Sequence, residues 1–129
     1  ERLRAVTMRS IQRLAAELVS LGVAVHHCGE IATQSHAFAL DARQTGGGSA
    51  TALHLRRANI LASAIGLPTG GNDGVRIGTN ELIRLGATAN DMPGLADLIA
   101  QALASSTPED LARTVTHWRS NHLETAATR

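Results

Sequence analysis

The chain has 129 residues, 43% hydrophobic and 18% charged, which suits one globular domain with a buried core rather than two domains or a disordered chain. All 12 basic residues are arginine, and lysine and tyrosine are absent, so no Schiff-base lysine, P-loop lysine or tyrosine acid can come from these residues. A net charge of +1, a single cysteine (Cys28) and only two aromatic residues (Phe38 and Trp118) exclude an electrostatic case for nucleic acid, an internal disulfide and a stacking platform for bases. Apolar runs such as Ala37 to Leu40 are too short to cross a bilayer, and the first residues lack the apolar stretch of a signal peptide. A cytoplasmic protein that binds neither membrane nor nucleic acid is therefore expected, with all 129 residues in one domain and a frayed tail over 123–129.

The first element reads as a helix. Ile11, Leu14, Leu18 and Leu21 recur at spacings that place them on one face, with Arg9, Arg13 and Glu17 on another, and Gly22 suits a left-handed cap. Val23 to Val25 opens a short strand, and Ser35 to Asp41 a second, with His36, Phe38 and Leu40 on one side. Three glycines, Gly46 to Gly48, precede a helix over Ser49 to Arg57, whose buried face is expected to carry Ala50, Leu53 and the stem of Arg57. Asn59 ends it. Ile60 to Ala62 predicts a third strand, Leu67 to Gly74 a loop, Gly74 to Gly78 a fourth strand, and Thr79 to Leu85 a helical turn. Thr88 and Asp91 have capping-box spacing ahead of a helix with Leu95, Leu98, Ile99 and Ala102 on one face. Thr107, Pro108, Glu109 and Asp110 start a last helix that turns Leu111, Val115 and Trp118 inward. The order helix, strand, strand, helix, strand, strand, helix, helix predicts an α/β (α+β) two-layer sandwich, helices on one face of a small, mostly antiparallel sheet.

Few residues carry recognisable chemistry. The glycine turn at 46–48 has no lysine after it and no Gly-x-Gly-x-x-Gly spacing, which favours a connector over an anion cradle. His26, His27 and Cys28 are adjacent in a strand, where neighbours point to opposite faces, so they do not converge on a metal. No elbow motif surrounds any serine. The pointed feature is Gly74-Val75-Arg76-Ile77-Gly78-Thr79, one arginine in a short strand between glycines. An arginine held among apolar neighbours is suited to a planar anion such as a carboxylate; an edge-strand arginine in solvent is the plain alternative, and the residues alone leave both open.

This motif, with Arg84-Leu85-Gly86, Asp91-Met92 and Ala96 to Ala100, resembles the C-terminal small domain of serine hydroxymethyltransferase-like enzymes. Gly22-Val23, the Ser35-His36 to Asp41 strand, and Ala58-Asn59-Ile60 with Pro68 beyond are similar to the family in order and spacing, so the resemblance runs from about Arg4 to about Leu103. It implies a fold-type I pyridoxal-phosphate enzyme, in which a large domain holds the cofactor and its lysine. The small domain then supplies one substrate-binding arginine for the amino acid's carboxylate, here Arg76, by a bidentate contact that orients the bond to be broken. Three differences stand out: Leu85 where the family has a second arginine, Asn80-Glu81 in place of Pro-Ala, and a shorter loop from Pro68 to Gly74. The last two speak against folate and toward the threonine aldolase and transaldolase type.

The resemblance therefore implies a small subunit or domain of an enzyme acting on the Cα–Cβ bond of a β-hydroxy amino acid. Its partner would be a large, pyridoxal-phosphate-binding chain in a heteromer, and the isolated chain, without lysine, is expected to be inactive. Helix one is the expected docking element. A non-catalytic subunit that stabilises such an enzyme would keep Arg76 away from the cofactor, and an independent amino-acid binder would need no partner at all.

Overall fold

The computed structural model describes residues 2–26, 39–66, 73–77 and 88–127, with side chains at 9–25, 39–66, 73–77 and 88–120. Helix α1 (Arg2–Ser20) runs into strand β1 (Val25–His26) and then, beyond 27–38, strand β2 (Ala39–Asp41). A 3₁₀ turn (Arg43–Thr45) leads to α2 (Gly48–Arg57), followed by β3 (Ala62–Ile65), β4 (Gly74–Ile77), α3 (Met92–Ala104) and α4 (Ala112–Ala127). The four strands form one antiparallel sheet in the order β1-β2-β4-β3. Helices cover one face of it, as the alternation of helical and strand periods implied.

The core lies between helices and sheet. Ile11, Leu14 and Leu18 of α1, Leu55 of α2 and Leu95, Leu98, Ile99 and Ala102 of α3 meet Leu40, Val75 and Ile77 of the sheet. Leu111 and Trp118 pack against this cluster from the α4 side, and Val115 is buried in it. Burial of this apolar surface is the main force holding the layers together.

Several boundaries differ from the sequence expectation. Leu21 is 47% exposed rather than buried, because α1 stops at Ser20 and Gly22, at φ +84°, turns the chain away. The buried face of α2 is Thr51, Ala52 and Leu55; Leu53 is 64% exposed, Ala50 is exposed, and Arg57 forms an ion pair with Glu109 at 2.6 Å instead of burying its stem. The third strand begins at Ala62, where Ile60 to Ala62 was expected, because Asn59 takes φ +64° and Ile60 is spent in the core. The first strand is Val25–His26, shorter at its start than expected. The expected turn over 79–85, the glycine loop over 67–72 and the first half of the Ser35–Asp41 strand lie outside the described residues.

The helix ends follow the sequence closely. The Thr88 amide donates to Asp91 Oδ2 at 2.8 Å, and the reciprocal capping-box contact from the Asp91 backbone to the Thr88 side chain is present. Thr107 Oγ1 donates to Asp110 Oδ2 at 2.8 Å, in the 3₁₀ turn (Pro108–Leu111) that opens α4. The joint between α2 and the last two helices is hydrogen-bonded. His54 Nε2 donates to the Ala102 carbonyl at 2.7 Å, Asn59 Nδ2 to Thr116 Oγ1 at 2.9 Å, and Arg119 Nη2 to the Asn59 carbonyl at 3.1 Å.

Candidate functional site

Strand alternation decides where Arg76 points. Val75 and Ile77 are buried in the core with the helices, so Arg76 between them stands on the opposite face of the sheet, and it is exposed. β4 is not an edge strand: it lies between β2 and β3, and Arg76 pairs across with Ala39 on one side and Ser63 on the other. Both neighbours are small and uncharged. Among the described residues no hydrogen bond or ion pair engages the guanidinium, a permanently charged group that can donate to two atoms of one partner.

The glycine turn has a structural explanation. Gly46 and Gly47 have φ of +96° and +94°, a region that side-chain-bearing residues rarely adopt. The Asp73 carboxylate lies beside them, with Oδ1 3.8 Å from where a Cβ of Gly47 would stand. The start of α2 thus has an acid of the chain's own close by, which suits its positive end and favours the connector reading.

A cleft of about 280 Å³ is lined by Val23, Leu40, Asp41, Thr45, Thr51 and Leu103 among others, and Arg76 is not one of its lining residues. The chemistry selects the sheet face rather than this cleft, whose threonine hydroxyls already bond each other at 2.7 Å. Among the described residues no three histidine, cysteine or acidic side chains gather to hold a metal, and no helix is long and apolar enough to cross a membrane. The rest of the arginine motif, Gly78 and Thr79, and with it Asn80, Glu81, Arg84, Leu85 and His36, falls outside the described residues.

These residues supply no covalent anchor for pyridoxal phosphate. The sequence contains no lysine to bind the cofactor covalently. Of its two aromatic residues, the described one, Trp118, packs over Gly94 of α3, with Nε1 3.1 Å from the position of an added Cβ there.

The fold defines a small two-layer domain of a kind known within a much larger protein. The L-threonine transaldolase from Pseudomonas fluorescens superposes with a TM-score of 0.77 at 21% identity, over 94% of this chain but 28% of that one. No family model matches the chain. Curated relatives do: an α-methylserine aldolase from Ralstonia sp is 44% identical over 117 residues (87% of this chain, 27% of that protein). A second α-methylserine aldolase, from Variovorax paradoxus, is 46% identical over 109 residues (81% and 25%). The serine hydroxymethyltransferase of Methanopyrus kandleri is 36% identical over 128 residues (92% and 29%). The chain belongs to the serine hydroxymethyltransferase-like family, and it spans about a quarter to three-tenths of the length of the relatives it matches.

Proposed function

We propose that this chain is the arginine-bearing small domain of a pyridoxal-phosphate-dependent aldolase or hydroxymethyltransferase, and that Arg76 binds the α-carboxylate of its amino-acid substrate. The observation that carries the reading is the placement of Arg76: exposed, in a strand inside the sheet, on the face opposite the described helices, flanked by Ala39 and Ser63, with no partner for its guanidinium among the described residues. A bidentate guanidinium–carboxylate contact fixes two atoms of the substrate and so sets the direction of the bonds at Cα. The cofactor supplies the electron sink for breaking the Cα–Cβ bond and is held by protein outside these 129 residues, in a large-domain partner or in the rest of a longer chain. The relatives named α-methylserine aldolase favour a β-hydroxy amino acid and a reaction of the aldol type.

The test combines the chain with a large-domain partner and follows cofactor absorbance while L-serine or α-methylserine is added. Arg76→Ala is expected to weaken amino-acid binding by roughly 2–3 kcal/mol, about 30- to 150-fold, the order expected for a hydrogen-bonded charge contact. Unchanged affinity in the variant rules out the carboxylate role. A complex in which Arg76 lies far from the cofactor would instead support a stabilising, non-catalytic subunit.

A further inference from the structure

The two residues that flank Arg76 differ in chemistry. Register sets Ala39 of β2 on one side and Ser63 of β3 on the other, each directly opposite Arg76. Paired residues of neighbouring strands project to the same face, so the Ser63 hydroxyl stands on the face of the guanidinium. Its neighbour Ala62 is buried, as alternation requires, and Ser63 itself is exposed. Among the described residues the Ser63 hydroxyl meets no hydrogen-bond partner. Ala39 offers only a methyl group. Two polar side chains without partners among the described residues are thus direct cross-strand neighbours.

Their separation suits one shared ligand. Directly opposite Cβ atoms lie about 4.5–5.5 Å apart. Arginine can fork a carboxylate through its Nε edge as well as through its tip, and the Nε edge lies closer to the strand. The fork uses one lone pair of each carboxylate oxygen and leaves a second on each. A carboxylate held at the Nε edge on the β3 side brings one oxygen within reach of a hydroxyl on Ser63. The β2 side has no such donor. β3 is also the outermost of the described strands, whereas β1 lies beyond β2, so among the described residues the Ser63 side is the margin of the sheet.

We propose that Ser63 is a further substrate-binding residue: its hydroxyl donates to the carboxylate that Arg76 forks, and so sets the side of Arg76 on which the amino acid lies. The proposal rests on the carboxylate reading of Arg76 given above. It makes the register between β3 and β4 part of the site. A hydroxyl adds a directional contact to the fork, so the carboxylate plane, and with it the bonds at Cα, is fixed rather than free to swing about the guanidinium.

The test measures binding by cofactor absorbance in the assembled enzyme, with L-serine and with 2-aminoethanol, which keeps the amine and the hydroxyl but has no carboxylate. Ser63→Ala is expected to weaken L-serine binding about five- to tenfold, the scale of one net hydrogen bond, and to leave 2-aminoethanol within about twofold. Ser63→Thr, which keeps the hydroxyl, is expected to bind L-serine within about threefold of the parent. In an Arg76→Ala background, Ser63→Ala should cost less than about twofold, because the carboxylate is no longer held against the hydroxyl. Equal losses for the two ligands, or a Ser63→Thr variant as weak as Ser63→Ala, overturn the hydroxyl contact. Unchanged L-serine affinity in Ser63→Ala, with a loss in Arg76→Ala, also overturns it and leaves the carboxylate role of Arg76 standing. Where Arg76→Ala too leaves L-serine affinity unchanged, the carboxylate reading fails and this proposal fails with it.

Discussion

Ser10 sits in the middle of α1 with its side chain fully buried, and among the described residues its Oγ meets no hydrogen-bond partner. A buried hydroxyl left unpaired costs free energy, and serine is also a weaker helix former than alanine. Ser10→Ala is therefore expected to raise stability by about 1 kcal/mol, read as a higher midpoint in urea at unchanged slope. A lower midpoint would mean that the hydroxyl does have a partner. Arg76 shows a different limit at the same scale. The motif Gly74-Val75-Arg76-Ile77-Gly78 singled Arg76 out, but the residues alone left a carboxylate contact and a solvated arginine both open. Its exposure and its neighbours were not legible, because Ala39 and Ser63 lie 37 and 13 positions away in sequence and meet it only through register. Ser63 gave no signal at all: one serine between two alanines is ordinary in any short strand.

Among the elements, α2 is the instructive case. Its sequence, Gly48 to Arg57, carries Ala50 and Leu53 on one side and Ala52 and Leu55 on another, so apolar periodicity alone does not choose a face. The sheet chooses: α2 packs on β3 and β4, Leu55 is completely buried in the core, and Leu53 looks outward. Leu55→Ala should cost about 2–5 kcal/mol, the range for emptying a packed site, whereas Leu53→Ala should stay within about 0.5 kcal/mol. Equal losses at the two positions would contradict this orientation. By contrast α3 was readable in full, since Leu95, Leu98, Ile99 and Ala102 form a single stripe and the capping box ahead of it marks the start. The end of α2 was only half readable. Asparagine tolerates the left-handed conformation that Asn59 adopts, but its bonds to Thr116 and Arg119 span more than fifty residues.

On the scale of the whole molecule, the described helices pack on one face of the sheet. Among the described residues the other face presents Ala39, Ser63 and Arg76. Binding of a large-domain partner is expected to slow hydrogen exchange in Ala39–Asp41 and Ala62–Ile65 by at least about tenfold while leaving Met92–Ala104 unchanged, measured by mass spectrometry with and without the partner. Slowing confined to α1 would move the docking surface to the helix layer. The two-layer class followed from the order of periodic segments. That other face could not be assigned from one sequence, because strands this short do not show an alternation long enough to tell a solvated side from one that meets another protein.

The order β1-β2-β4-β3 has a consequence for how the chain acquires this shape. β4 is the last of the described strands to be made, yet it is the one that joins β3 to the β1–β2 pair. With β3 it closes a short hairpin, but its seam with β2 spans more than thirty residues, from Asp41 to Gly74, and includes the whole of α2. Closing that longer loop carries the greater entropic cost, so the β2–β4 seam is the late step in assembling the sheet. A nascent chain that ends before residue 74 has a β1–β2 pair and a β3 with nothing beside it. The strand that carries Arg76 is thus also the keystone: the arginine reaches its place only when the sheet is finished.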